Sequence, residues 1–368
     1  MKKILHVVEA FGGGVFMHLA NLSNQLCEDN EVYIAYGIRP ETHNNFQTYF
    51  NKRIHFIEVK NFTSEINFSK DIKAFFEIKE IIKDIKPDIT HLHSSKAGAL
   101  GRWAIDGKKN TMFYSPHGWA FLKKDDSVIK RFLYKAIEKI CAFRKCEIIA
   151  TSQGEYDESI KLSENSFLIN NGINMEDLKP YLKETSSYFN FPVVYTIGRI
   201  CFQKNPSLFN EIAMSLPNIK FMWIGDGEMR STLTSPNIEI IGWGPRNEAL
   251  KLSEKASVFL LCSLWEGLPL SLLEAMYLKK VCIVSDVIGN RDVIKTGING
   301  FICHSTAEYT NMINSIFTNE FPSKDIIENA HQDVLSEYNT ITMVKKYKEK
   351  YNGITVTLKM PMRDKMYI

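Results

Sequence analysis

Seven cysteines are spread irregularly over 368 residues, with no Cys-x-x-Cys pair among them. An odd, unpatterned set excludes a disulfide framework and a paired-cysteine metal site, and reads as reduced, buried thiols of a cytoplasmic protein. No window approaches the roughly 20 apolar residues that a membrane span needs. The short apolar run of MKKILHVVEAFGGG ends in glutamate and glycines, unlike a secretory leader. Net charge is nearly absent as well, with 45 basic residues against 42 acidic ones, so no global field points to nucleic acid as a partner. There is no short-period repeat and no low-complexity segment. The expectation is a soluble protein, at most peripheral to a membrane.

What is present is alternation. Short β-branched or aromatic runs alternate with longer amphipathic ones, the pattern of parallel sheets covered by helices. In the first half the strand candidates are 3–8, 31–36, 53–59, 88–93, 111–117, 146–152 and 165–172, with helices notably over 70–85 and 127–145. A second series runs through 192–199, 219–227, 238–243, 256–263 and 280–286. Residues 173–191 lose the alternation and read as a connection. The expected architecture is α/β, with two parallel-sheet domains of ordinary size, residues 1–175 and 176–337. A polar helix is expected over 338–353, and the tail beyond it is uninformative.

Several strand ends carry chemistry. Residues 9–26, EAFGGGVFMHLANLSNQL, run from a strand through Gly12, Gly13 and Gly14 into a helix, so that a phosphate could approach backbone amides; a tight turn is the other reading. No acidic residue closes the second strand, which disfavours a nicotinamide dinucleotide site. In TIGRICFQKNP, Gly198, Arg199 and Lys204 follow the first strand of the second series, where two cations suit a diphosphate and equally suit a solvated loop. WIGDGEMR puts Gly225, Asp226 and Gly227 at the same sheet edge. LHSSKAGALGR and YSPHGWAF end strands of the first half and contribute His93, Lys96, His117 and Trp119 as candidates, with His117 facing the other domain across the presumed cleft.

The stretch SLWEGLPLSLLEAM, residues 263–276, holds two carboxylates, Glu266 and Glu274, in apolar surroundings where an unpaired charge is costly. Gly267, Leu268 and Pro269 lead into a helix, proline suiting its first turn. Glu266 then lies in a loop at the crevice, Glu274 one to two turns into the helix, and the amides between them are free to hold an anion.

Together these motifs resemble the retaining glycosyltransferases of family 4: glutamate, seven residues and glutamate with EGLP at the start, GR with a lysine five positions on, GDG, and a glycine loop after the first strand. The resemblance covers roughly residues 1–350. It implies the GT-B fold, two Rossmann-like domains facing across a cleft, with the last helix crossing back so that 338–368 pack on the first domain. It implies a nucleotide-sugar donor held mainly by the second domain and an acceptor held mainly by the first, where His93, Lys96 and Trp119 are the acceptor-side candidates. Arg199 and Lys204 would bind the diphosphate, Glu274 the ribose hydroxyls, and Glu266 would lie beside the transferred sugar. The histidine matching His117 would contact that sugar near the reacting carbon, assisted by amides around Gly267 and Leu268. Relatives commonly use UDP-sugars and lipid-linked acceptors in bacterial surface polysaccharide assembly (O-antigen, capsule or exopolysaccharide).

Many other glycosyltransferases hold a divalent metal with an Asp-x-Asp motif, and no such triplet occurs in this sequence. A metal-independent hexosyltransferase without cofactor is therefore expected, with Arg199, Lys204 and helix-terminal amides stabilising the leaving diphosphate. The alternatives are a nucleotide-sugar 2-epimerase of the same fold and a non-catalytic accessory subunit. Residues 123–145 interleave Lys130, Arg131, Lys135, Lys139 and Lys145 with Phe132, Leu133, Ile137, Ile140 and Phe143, and with Lys108 and Lys109 nearby they read either as a docking face for anionic lipid or as an ordinary solvated helix face.

Overall fold

A strand buried on both faces shows as a near-continuous apolar run, as in VFLL (258–261) and VCIVS (281–285). The structure is a computed structural model that describes residues 1–354 except 41, 43, 64, 108–109, 183–191 and 319–322. Lys108, Lys109, residues 183–191 of the connection and the tail beyond residue 354 thus lie outside the described residues, whereas the start of the connection forms a short helix, Met175–Leu178. Strands β1 (Lys3–Val8), β2 (Glu31–Tyr36), β3 (His55–Glu58), β4 (Ile89–His93), β5 (Thr111–Ser115), β6 (Glu147–Ala150) and β7 (Ser166–Leu168) form one sheet. Strands β8 (Val193–Ile197), β9 (Lys220–Ile224), β10 (Ile238–Gly242), β11 (Val258–Leu261), β12 (Val281–Ser285) and β13 (Phe301–Cys303) form the other. All pairings within both sheets are parallel.

The strand orders, β3-β2-β1-β4-β5-β6-β7 and β10-β9-β8-β11-β12-β13, share one logic. Each sheet starts at its middle, winds to one edge, then crosses over and winds to the other. The connections from β1 and β4, and from β8 and β11, therefore leave in opposite directions and open a crevice at the carboxyl ends of the strands, where such sheets bind ligands. The glycine loop at 12–14, the loops after β8 and β11, and His93 at the end of β4 all lie at these edges. Strand β13 has no counterpart in the sequence reading because three residues between Gly300 and His304 are too few to display a period.

The last helix, Thr340–Tyr351, returns to the first domain, where Met343, Val344, Tyr347 and Tyr351 join the core that also contains Phe16, Leu19 and Phe113. Asn339 makes this return possible. Its side chain accepts from Thr342 N at 2.8 Å to start the last helix and donates to Val334 O and Leu335 O at the end of the preceding helix, Ser323–Ser336. Its backbone lies so close to Gly172 that a Cβ there would stand 2.3 Å from Asn339 O. The outgoing and returning chains are also paired, by Ile173 N to Tyr338 O and Thr340 N to Ile173 O, each at 3.0 Å.

Because Tyr347 is fully buried in that core, Tyr347→Ala is expected to cost about 3 to 5 kcal/mol and to lower the thermal transition of the first domain. Lys345→Ala, on the exposed face of the same helix, should leave the melting temperature within a degree or so, about the scatter of a surface substitution.

Candidate active site

The second domain presents its charges from two loops. After β8 the chain makes a short turn, Phe202–Lys204, clipped to the loop after β11 by Leu264 N donating to Gln203 O at 2.8 Å and by the Gln203 side chain donating to Trp265 O at 2.9 Å. This brings Lys204 Nζ to 2.6 Å from Glu266 Oε1, both side chains largely buried. Arg199 is exposed in the same loop, beside Gly198. Pro269 precedes the helix Leu270–Tyr277, and no side chain caps that terminus. One turn on, Glu274 is ion-paired with Arg246, which opens the helix Arg246–Ser253 after β10. Burial disfavours the Arg246 charge, yet the Glu274 carboxylate beside it raises its pKa above the ordinary value. The sequence reading missed Arg246, since nothing local marks an arginine whose partner is 28 residues away.

The glycines of these loops serve packing. Gly198 (φ +150°) and Gly225 (φ +137°) take backbone shapes that disfavour side chains, and a Cβ on Gly225 would lie 2.2 Å from Gly198 O. A Cβ on Gly227 would lie 2.4 Å from Ile200 O. The β8 and β9 loops therefore lie backbone on backbone, which is the reason for glycine at 225 and 227. Asp226 is engaged by its own turn, accepting from Gly227 N and from Arg230, each at 2.8 Å. In the first domain Gly13 (φ +54°) and Gly14 begin the helix Gly13–Leu26, and a Cβ on either would meet nothing within 4 Å.

His117 takes a left-handed conformation (φ +53°), uncommon for a residue other than glycine. Glu155 holds the turn. This buried carboxylate accepts from Gly118 N at 2.5 Å, Thr151 N at 2.6 Å and Thr151 Oγ1 at 2.9 Å, and its backbone oxygen accepts from Trp119 Nε1 at 3.2 Å. Burial pushes its carboxyl pKa up against the opposing effect of the hydrogen bonds from Thr151 and Gly118. The turn abuts the second domain, where a Cβ on Gly267 would stand 3.2 Å from Gly118 N. Asn171 Nδ2 donates to Leu268 O at 3.3 Å and Gly154 N to Asp292 Oδ2 at 2.8 Å across the same boundary. His117, Gly267, Leu268 and Glu266 thus come together, although their loops are some 150 residues apart in sequence.

Three candidates for acceptor contact are engaged elsewhere. Trp119 is 1% exposed and stacks on Phe121. His93 is wholly buried, with both ring nitrogens hydrogen-bonded to other histidines. Lys96 binds Asp71 Oδ1 at 2.7 Å and Thr63 Oγ1 at 2.8 Å, pinning the segment before the helix Phe68–Ile85. His93 belongs instead to a cluster with His6, His18, His91 and His117. Alternation puts His91 and His93 on one face of β4, register sets His6 beside His91, and His18 reaches in from the helix Gly13–Leu26. Only His117 is partly exposed. Among the described residues, the groups of three that could hold a metal ion are drawn wholly from these histidines.

Two family matches divide the chain. Residues 12–177 match glycosyltransferase family 4, and residues 182–333 match glycosyl transferases group 1. The chain is a family 4 glycosyltransferase. It is 28% identical to the Escherichia coli UDP-Gal:alpha-D-GlcNAc-diphosphoundecaprenol alpha-1,3-galactosyltransferase, over 84% of this chain and 86% of that one. A Campylobacter jejuni alpha-1,4-N-acetyl-D-galactosaminyltransferase, whose name specifies an undecaprenol-linked acceptor, is 27% identical over 90% and 93%. The fold matches the crystal structure of Anabaena HepE in complex with UDP and glucose, with a TM-score of 0.78 at 16% identity, over 96% of this chain and all of that one.

The glycosyltransferase keeps its histidine cluster neutral. Burial lowers the pKa of His6 to about 3 and of His18 to about 4, and places His91, His93 and His117 well below the ordinary value. Unfolded, each takes a proton near pH 6.5; folded, each resists it. The unfolded chain therefore binds more protons as pH falls below 6.5, and stability declines by up to about 1.4 kcal/mol per pH unit for each histidine. Urea unfolding should show a loss on the order of 5 kcal/mol between pH 7 and 5.5, with a shallower slope in His18→Asn.

Proposed function

We propose that this enzyme is a retaining, metal-independent hexosyltransferase. Its donor is a UDP-sugar and its acceptor a hydroxyl of an undecaprenol-diphosphate-linked saccharide, in bacterial surface polysaccharide assembly. The observation that carries the reading is the meeting of the Lys204–Glu266 pair with the His117 turn at the domain boundary, with the Glu274–Arg246 pair one helical turn away. The names of relatives matched over more than four fifths of the chain support the donor and the lipid carrier.

In the proposed reaction the bond between the sugar C1 and the β-phosphate oxygen breaks, and the acceptor oxygen bonds to C1 on the same face. The acceptor proton leaves with the departing phosphate. Arg199, Lys204 and the uncapped amides at the start of the helix Leu270–Tyr277 supply fixed positive charge where the leaving group develops negative charge. Glu274, oriented by Arg246, accepts from the ribose hydroxyls. Glu266 lies beside the sugar and fixes the Lys204 ammonium.

The assay is UDP-galactose or UDP-N-acetylgalactosamine with a short-chain polyprenyl-diphosphate N-acetylglucosamine, in EDTA. Acceptor-dependent UDP release and an α-linked product support the reading. Donor epimerised without UDP release, or turnover that requires added manganese or magnesium, defeats it. Glu274→Gln, which loses a contact made alike in the ground and transition states, should raise donor KM roughly tenfold with kcat little changed. Glu266→Gln should lower kcat by about 10- to 1000-fold with a smaller effect on KM. Identical kinetic signatures for the two variants would refute the division of roles.

We also propose that the enzyme meets the anionic inner face of the plasma membrane through the helix Val128–Cys141 and the residues after it. Val128, Ile129, Phe132, Ile140 and Phe143 are exposed there, with Phe143 at 89%, and exposed Lys123, Lys124, Lys139 and Lys145 flank them. Lys130 and Arg131 are already held, by Asp126 and by Phe121 O, so the apolar side chains rather than those two cations carry this reading. Apolar groups entering the interface with basic groups at its rim fit an anionic bilayer. Flotation with phosphatidylglycerol vesicles should recover the protein, and Ile129→Ser with Phe132→Ser and Phe143→Ser should leave it at the bottom of the gradient.

A further inference from the structure

Five clustered histidines, four of them buried and His117 partly exposed, leave few choices for where each proton sits, and the partners at the ends of the network decide them. Ser115 Oγ donates to Ile149 O at 2.8 Å, so toward His91 it can only accept; His91 carries its proton on Nε2, 2.9 Å away, and its bare Nδ1 accepts from the Tyr351 hydroxyl at 2.6 Å. Asn171 Nδ2 is turned to Leu268 O, so Oδ1 faces His18 Nδ1 at 2.7 Å and that nitrogen bears the proton. His91 and His18 are thereby fixed.

The other three form a chain. His6 Nδ1 lies 2.9 Å from His93 Nε2, and His93 Nδ1 lies 2.9 Å from His117 Nε2. A neutral imidazole has one donor and one acceptor, so the two bonds must point the same way. If they run toward His6, that ring ends with its N–H on Nε2. If they run toward His117, His6 Nε2 is a bare lone pair. Among the described residues His6 Nε2 is buried without a partner, and an orphaned N–H is the rarer and costlier of the two, since a donor buried without an acceptor forfeits its bond to water.

We propose that His6 and His93 are positioning residues for sugar transfer: the chain His6→His93→His117 locks His117 into the tautomer that offers Nδ1–H, as a neutral hydrogen-bond donor, to a ligand oxygen in the cleft. His117 Nε2 is occupied by the bond from His93, which leaves Nδ1 as the nitrogen open to a ligand. His117 then cannot abstract a proton at that atom. It polarises an oxygen of the bound sugar or of its leaving phosphate, and it does so without carrying a charge that the bond-breaking step would have to accommodate. The ligand in this statement rests on the proposed sugar transfer, whereas the tautomer does not.

The test reads the tautomer directly in the free enzyme. In the full-length protein labelled with 15N-histidine at pH 7.5, with His117 assigned by its loss in His117→Gln, Nδ1 should show the pyrrole-like and Nε2 the pyridine-like resonance. His6→Phe removes the head of the chain and should spread His117 over both tautomers. It should also lower kcat with UDP-galactose and the polyprenyl-diphosphate acceptor about tenfold, the size of one net hydrogen bond, with donor KM unchanged. His6→Asn, whose side-chain amide can stand where Nδ1 does, should restore both readouts. A bare Nδ1 on His117 in the wild-type protein overturns the proposal and needs no variant to be folded. So does an unchanged His117 spectrum in folded His6→Phe, or zinc bound stoichiometrically by the purified protein and lost in His93→Asn, since the imidazoles would then be ligands. The expected spectra without turnover of UDP-galactose would uphold the tautomer and reject the proposed donor.

Discussion

The contact on which this molecule depends is a meeting of two backbones. The turn at Gly118 and the loop at Gly267 approach until a Cβ on Gly267 would stand 3.2 Å from Gly118 N, and Gly289 presses on Gly267 from behind, where a Cβ would lie 2.0 Å from Gly267 O. Domains of one chain move relative to each other unless their interface is large and apolar. Here the residues that set the approach adjoin those proposed to carry the chemistry. His117 precedes Gly118, and Glu266 precedes Gly267. A change in the angle between the sheets would therefore also change the distance between His117 and Glu266, so the proposed site depends on how the two domains meet. The polar ties at the same boundary, from Asn171 to Leu268 and from Gly154 to Asp292, are single hydrogen bonds of about 1 kcal/mol each, weak enough to be remade when a substrate enters or leaves.

Behind that contact the first domain accepts a set of local costs. His117 is left-handed, Glu155 is a carboxylate kept dry, and five imidazoles occupy space that leucine or valine would fill more stably at low pH. Strain and buried polar groups of this kind persist where the surrounding structure over-determines them, and they concentrate at functional sites. The surroundings here are the apolar layers of the parallel sheet and the returning helix, whose Tyr347 and Tyr351 pack over His18 and His91. The last helix does more than complete a fold: it packs over the histidines, and its Tyr351 hydroxyl lies 2.6 Å from His91 Nδ1.

Much of the fold was legible because its signals are local. A strand buried on both faces shows as an apolar run, a helix on a sheet as a period near 3.6 residues, and twelve of the thirteen strands fall within stretches read that way. Glu266 and Glu274 stood out for the same reason, as charges in a segment whose neighbours are apolar. What the sequence reading missed, or assigned to the wrong side of the cleft wall, is non-local. Trp119 and His93 look available when read along the chain and are buried by elements remote in sequence. Arg246 looks like one more surface cation until the helix bearing Glu274 is laid beside it. The alternation in THLH could have shown that His91 and His93 share a face, but His6 and His18 have no meaning until register and packing bring them to the same face.

The sequence by itself determined twelve of the thirteen strands and the longest helices, that they form two parallel sheets, and that the glutamate pair and its glycine loops identify a glycosyltransferase of family 4, because hydrophobic period and motif spacing are properties of neighbours along the chain. Only the tertiary structure decided which charges meet, which candidates are buried, and which histidines come together in one network. Those depend on distances of about 3 Å between residues tens to hundreds of positions apart, and the energy of a buried polar group is set by the partner it finds there.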